Sequence, residues 1–404
     1  MMNYREALDW LFATQLIGIK LGLDNPRYLL QESRAYPARG VPVIHVAGTN
    51  GKGSTCAMIE SIARAGGLRC GLFTSPHLID FRERIMVAGQ QIPAATCAAM
   101  LSELRTICER MATHPTFFEI TLTLAMRWFG EYHCDLIILE TGMGGRWDAT
   151  TAVPADVCVI TPIGLDHMQW LGSSLADIAA EKAGILGPGQ AAVSAPQQDV
   201  VREVLIKEAQ ALRVPLEFIT QPLLEYPLAL AGSHQQWNAA LAVAALQRAG
   251  LHLPATSVRE GLANVYWPGR FEEIQPGVIL DGAHNPHAAT VLAATWHHQF
   301  AGQPATLVFS AVAAKDIAGI LTILAPLAAR IFLCPLNSPR AVTAQELAAA
   351  LPPTAPPHTI FDDFPTAWTA ARALGSPILI TGSLFLVGEA RAFLTDRTFQ
   401  PSHQ

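Results

Sequence analysis

The chain has 404 residues, half of them hydrophobic and only 15% charged, with a formal net charge of −6. That length supports two domains, each with its own core, and the composition excludes a disordered chain. The acidic balance excludes a nucleic-acid partner that needs a basic face, so any anionic ligand must be held by local charge.

The opening stretch MMNYREALDWLFA carries acids and helical periodicity and does not resemble a signal peptide. Seven cysteines are scattered without a C-x-x-C pair, which fits reduced, buried thiols in a cytoplasmic protein better than disulfides or a zinc site. The stretch IAGILTILAPLAARIFLCPL is interrupted by Pro326 and Arg330, so it predicts a core helix and a buried strand, not a membrane span.

Apolar runs alternate with helical patterns along the chain. VPVIHVAG, CGLFTS, DLIILE and DVCVIT predict strands, with a helix from Ser54 to about Ala65 after the first. Proline and glycine cluster in YWPGRFEEIQPG, residues 266–277, after which VILD, ATLVFS, RIFLC and PILITG begin a second series. The expectation is an α/β protein with mostly parallel sheets, divided into residues 1–268 and 269–404. Ligands in such sheets sit beyond the C-terminal strand ends, where the chemically interesting residues fall.

Gly48, Thr49, Asn50, Gly51, Lys52, Gly53 and Ser54 follow a strand and open a helix. In that setting backbone N–H groups and a lysine can hold phosphate, although the spacer between Gly48 and Gly51 is shorter than in the common P-loop. Glu140 ends the strand DLIILE, where nucleotide-hydrolysing folds place a magnesium-binding acid. Asp166 and His167 follow another strand, and Lys182 lies on a predicted helix next to Glu181. In the second series Asp281 ends a strand, and His284 and Asn285 open the next helix; Asn238 and Arg270 flank the boundary. Each has an ordinary alternative: a helix cap at Glu140, a satisfied polar pair at Asp166–His167, an exposed ion pair at Lys182, packing at the others.

Together IHVAGTNGKGS, TSPHL, ETGMGGRWDAT, GLDH, EKAGI, HQQWNAALA, WPGRFE, DGAHNP and TGSLFLVGEAR resemble, in order, folylpolyglutamate synthase / dihydrofolate synthase of the Mur ligase superfamily. The resemblance runs from GIKLGLDNPRYLL near residue 18 to about Arg391. It implies a P-loop ATPase domain, a smaller Rossmann-like C-terminal domain, and nucleotide in the cleft between them. Gly48 to Ser54 correspond to the phosphate-holding residues, and Asn238, Arg270 and Asp281 to contacts with other parts of ATP. Ser75, Glu140 and His167 match magnesium ligands, two ions being implied, and Lys182 matches a lysine carbamylated in this family, which would support the second magnesium near His167. Thr116, Phe117, Phe118 and Glu119, and Trp147, Asp148 and Ala149, match segments lining a pterin site; His284 joins the substrate-binding set. A monovalent cation is implied without a ligand to name.

The implied reaction is ATP-dependent addition of L-glutamate to 7,8-dihydropteroate, to a folate tail, or to both, through an acyl phosphate. Closure of the second domain would bring Arg270 to bear and exclude water. The expected form is a monomer acting on small molecules, without membrane or nucleic acid. A monofunctional folylpolyglutamate synthase or another Mur-type ligase is the alternative, and a nucleotide-binding switch is the remote one. A peptidoglycan-precursor ligase would carry a further domain before the P-loop, and 47 residues precede Gly48 here. Thr151 and Pro162 depart from the family pattern at positions where Asn is expected, and FSAVAAKD matches its loop only partly.

Overall fold

The computed structural model describes residues 1–401 apart from Ile19, Leu21 and Pro339. Ile19 and Leu21, inside the stretch that begins the resemblance, lie outside the described residues. The described chain forms two compact units: residues 1–75, 82–229 and 236–265 in the first, and residues 76–81, 230–235 and 266–404 in the second. Two short pieces ahead of the proline- and glycine-rich segment therefore group with the second unit.

The strands of the first unit are β1 (Val43–Ala47), β2 (Cys70–Phe73), β3 (Ile85–Val87), β4 (Gln90–Gln91), β5 (Leu136–Glu140), β6 (Val157–Ile160), β7 (Ala191–Ser194) and β8 (Leu216–Phe218). They order as β4-β3-β2-β5-β1-β6-β7-β8. Pairing is parallel except at the β4-β3-β2 edge. Every residue of β1, β2, β5 and β6 is buried. Near-continuous apolar runs are what a parallel sheet covered on both faces requires. Because β1 lies between β5 and β6, the C-terminal ends of these three strands converge on one edge, the usual ligand position of such sheets.

The second unit contains β9 (Glu272–Gln275), β10 (Val278–Leu280), β11 (Ala305–Phe309), β12 (Ala328–Leu333), β13 (His358–Ile360) and β14 (Ile378–Thr381). Their order is β13-β12-β11-β14-β10-β9, with only β9 antiparallel. One apolar cluster includes Trp296, Phe309 and Leu324; another includes Phe332, Phe364 and Leu386. IAGILTILAPLAARIFLCPL folds as the helix Ile317–Leu324, a short 3-10 turn and β12. No helix among the described residues is long and apolar enough to cross a membrane. All seven cysteines are buried and none is in a disulfide.

Candidate active site

The first helix after β1 spans Lys52–Ala65, two residues earlier than the sequence pattern suggests. The reason is Gly51, which takes a left-handed conformation (φ 89°) and turns the chain directly into the helix. No side chain caps this helix among the described residues, and a helix N-terminus entered from a glycine turn suits an anion. Gly48 is equally constrained: a Cβ there would lie 1.8 Å from Thr161 Oγ1. The backbone N–H groups of Thr49 and Asn50 both donate to the carbonyl of Pro162. A proline at that position keeps the carbonyl the loop uses and gives up only an N–H.

Two lysines converge on the loop. Lys52 Nζ donates to the carbonyls of Gly48 (3.2 Å) and Thr49 (3.3 Å), and Lys182 Nζ donates to Gly48 from the helix Leu175–Ala183 at 2.9 Å. Lys182 is buried, so the exposed ion pair with Glu181, the default reading of its local sequence, is overturned. Glu181 instead lies 3.8 Å from Arg146. Burial, reinforced by the charge of Lys52, lowers the Lys182 amine from 10.5 to about 7. Asn238 sits over the same turn, since a Cβ on Gly51 would lie 2.8 Å from its Oδ1.

Glu140 ends β5 and accepts the backbone N–H of Ser75 at 3.0 Å, from the chain leaving the neighbouring strand β2. The charge of Glu140 acts on two further groups, Cys56 and Arg84. Arg84 is completely buried, with its guanidinium 5.2 Å from the centre of the Phe117 ring, and burial lowers it to about 9 against the opposing pull of Glu140. Nothing in the pattern of FRERIMV marks it as buried. His167 opens a short helix in a left-handed conformation, its Nε2 3.9 Å from Asp166 Oδ1.

No group of three His, Cys, Asp or Glu side chains among the described residues forms a ready cluster for a metal. A hard cation that keeps water and substrate phosphate in its shell needs only one or two protein carboxylates, so Glu140 with Ser75 suits such an ion. The buried hydroxyls of Thr55, on the phosphate-loop helix, and Thr141, directly after Glu140, have no hydrogen-bond partner among the described residues. Orphaned oxygens at both places fit a bound ion or phosphate with its water.

The segments 116–119 and 142–151 are organised by their own side chains. Thr116 and Glu119 cap each other at the start of the helix Phe117–Glu131. Phe117 stacks on Phe12, with ring centres 5.7 Å apart, and Phe118 fills the space beside Gly142, where a Cβ would lie 2.7 Å from its ring. Asp148 is buried; it accepts N–H groups from Met143 (2.9 Å) and Thr150 (3.0 Å) and the hydroxyl of Thr150. Burial raises its pKa, and these hydrogen bonds oppose the rise. Ala149 is buried behind it, whereas Trp147 is 45% exposed. Thr151, at a position where Asn is expected, donates its hydroxyl to the carbonyl of Gly145 at 2.7 Å. Gly145 and Gly184 let this loop lie directly on the C-terminal turn of the Lys182 helix, since a Cβ at either would strike backbone.

The second unit builds a site of its own. Asp281, at the end of β10, is buried and accepts the N–H groups of Phe271 (2.8 Å) and Ala283 (2.9 Å). Burial raises its pKa, and the charge of Arg270 opposes the rise. Arg270 Nη1 donates to Gly269 (3.0 Å) and lies 2.6 Å from where a Cβ of Gly282 would be. His284 Nδ1 contacts the carbonyl of Gly282 at 2.8 Å; a carbonyl only accepts, so Nδ1 carries the proton. Asn285 caps the helix Pro286–Phe300. His234 is lowered to about 4 by burial, then by Arg270 and His287, and its buried Nδ1 has no partner among the described residues.

Two family models match the chain: the Mur ligase middle domain over residues 46–216 and the Mur ligase glutamate ligase domain over residues 269–384. The dihydrofolate synthase/folylpolyglutamate synthase of Bacillus subtilis is 33% identical, over 96% of this chain and 98% of its own. The Escherichia coli FolC structure in complex with DHPP and ADP superposes with a TM-score of 0.88 at 32% identity, covering 98% of this chain and 99% of that one. The bifunctional Yersinia pestis enzyme, in complex with AMPPNP and a Mn ion, gives 0.88 at 30% identity, with 98% of each chain covered.

Proposed function

The chain belongs to the folylpolyglutamate synthase/dihydrofolate synthase family of Mur ligases, and on that premise we propose that it joins L-glutamate to pterin-linked carboxylates at the expense of ATP. Both reactions are assigned to it: glutamate addition to 7,8-dihydropteroate and extension of folate tails. The observation that carries the reading is the convergence of Lys52 and Lys182 on Gly48, at the mouth of an uncapped helix.

A carboxylate is a poor electrophile, and phosphorylation gives it a leaving group. The γ-phosphoryl passes from ATP to the acceptor carboxylate, the glutamate amine attacks the acyl phosphate, and phosphate leaves. Lys52 and the N-terminus of the helix it opens offset the charge of the two anions that must approach. Asn238 and, in the second unit, Arg270 and Asp281 are assigned to the nucleotide. His284, the 116–119 segment and the 147–149 segment are assigned to the acceptor and glutamate.

Nucleotide and divalent metal are both required. Magnesium, two ions in this reading, would be held by Glu140, Ser75 and His167 and would neutralise phosphate charge. Lys182 is assigned as a carbamate. The neutral amine that reacts with carbon dioxide is about half the population at pH 7 when the pKa is about 7. Its nitrogen retains one hydrogen for Gly48 after reaction. ADP formation that needs both L-glutamate and 7,8-dihydropteroate, and again L-glutamate and tetrahydrofolate, tests the assignment. ATP turnover indifferent to either partner would indicate a nucleotide switch.

A further inference from the structure

The strand that delivers the phosphate loop carries one polar residue, three positions before Gly48. His45 lies in the middle of β1, buried between Leu139 of β5 and Cys158 of β6. Its Nε2 is 2.7 Å from Thr150 Oγ1. The Thr150 hydroxyl has one proton, and it goes to Asp148 Oδ1. The contact with His45 therefore has the imidazole donating from Nε2 and the hydroxyl accepting. Burial keeps this imidazole neutral, its pKa lowered to about 3, so one tautomer and one proton direction serve throughout the working range. The chain of donors runs His45 to Thr150 to Asp148, and Asp148 also receives backbone hydrogen bonds from Met143, Thr150 and Gly142.

We infer that His45 and Thr150 are positioning residues for acceptor-substrate binding, fixing the Asp148 carboxylate relative to the strand that carries the phosphate loop. The inference rests on the reading that the 147–149 segment lines the acceptor site. Backbone N–H groups already hold both Asp148 oxygens, and the Thr150 hydroxyl, its proton direction set by a buried imidazole, adds the bond that ties this carboxylate to β1. The donor phosphate and the acceptor are thus referred to one strand, which matters because small misplacements of two reacting anions cost rate steeply.

Steady-state kinetics with 7,8-dihydropteroate and ATP, together with thermal unfolding, test it. Thr150→Val keeps the shape and removes the hydroxyl; it is expected to raise the dihydropteroate KM by about tenfold, the equivalent of one modest hydrogen bond, with the ATP KM within about twofold of wild type. His45→Leu should do the same. Thr150→Ser and His45→Gln, which return a hydroxyl and a donor at the same reach, should recover most of the acceptor KM. Equal rises in both KM values, or recovery of neither, would reduce His45 and Thr150 to packing residues and overturn the inference. Asp148→Ala separates the two levels. An unchanged acceptor KM there overturns the assignment of the loop itself, whereas a raised KM in Asp148→Ala beside normal values in Thr150→Val and His45→Leu overturns only the positioning role.

Discussion

The amine of Lys182 donates to the carbonyl of Gly48 across 2.9 Å, joining the helix Leu175–Ala183 to the first glycine of the phosphate loop. The unfolded chain holds this lysine's proton to 10.5, the folded one only to about 7. Between those values the unfolded state binds more protons, so this group's contribution to stability rises with pH across that window and is flat below it. In bicarbonate-free buffer, where the amine is not carbamylated, Lys182→Met removes the buried ammonium. Its stability relative to wild type should therefore be greatest at and below about pH 7 and should shrink as pH rises toward 10.5. Denaturant unfolding at a series of pH values checks this; a pH-independent difference would place the wild-type amine in solvent.

The same variant should lose most ligase activity, because the anionic carbamate position is gone. Lys182→Ala with added short carboxylates should recover part of it. Carbon-13 bicarbonate should give wild type a carbamate resonance that Lys182→Ala lacks. A silent alanine variant with no missing resonance would end the carbamate assignment.

Glu140→Gln keeps size and one acceptor but removes the charge that offsets a cation. Turnover should fall by about two orders of magnitude or more, while unfolding changes little. Near-normal turnover at saturating magnesium would remove Glu140 from the ligand set.

Arg270→Lys retains charge and loses the planar fork. At limiting ATP its activity should drop by about tenfold, the value of one lost charge-assisted contact. A wild-type ATP KM in this variant would leave Arg270 a structural partner of Asp281 and Gly269.

Gly145→Ala tests the seating of the 142–151 loop. A Cβ there would lie 2.7 Å from the carbonyl of Glu181 and 2.8 Å from that of Lys182, and neither backbone group can rotate away. A destabilisation of about 1–3 kcal/mol and a raised acceptor KM are expected. Unchanged unfolding would show that the loop moves freely off that helix.

The eight strands the sequence announces were legible because each holds a nearly unbroken apolar run, which is what a parallel sheet covered on both faces asks for. The phosphate loop was legible for a local reason too: Gly51 must adopt a positive φ and Lys52 must follow it. What stayed hidden depends on partners distant in sequence. His45 reads as a polar interruption in an apolar strand until Thr150, 105 residues later, is placed beside it. Arg84 and Lys182 both sit in charged sequence, which by itself predicts solvent, and only packing shows them buried. Residues 76–81 follow β2 without a break in pattern, yet they group with the second unit, where His77 donates to the carbonyl of Gln400.

The central claim is that the acceptor carboxylate is activated by phosphorylation before glutamate attacks it. 7,8-Dihydropteroate labelled with oxygen-18 in its carboxylate tests that bond directly, by mass analysis of the phosphate released in a single turnover with ATP and L-glutamate. Attack through an acyl phosphate predicts that each released phosphate carries one labelled oxygen taken from the acceptor. Unlabelled phosphate, with glutamate nevertheless joined to the pteroate, would contradict the mechanism.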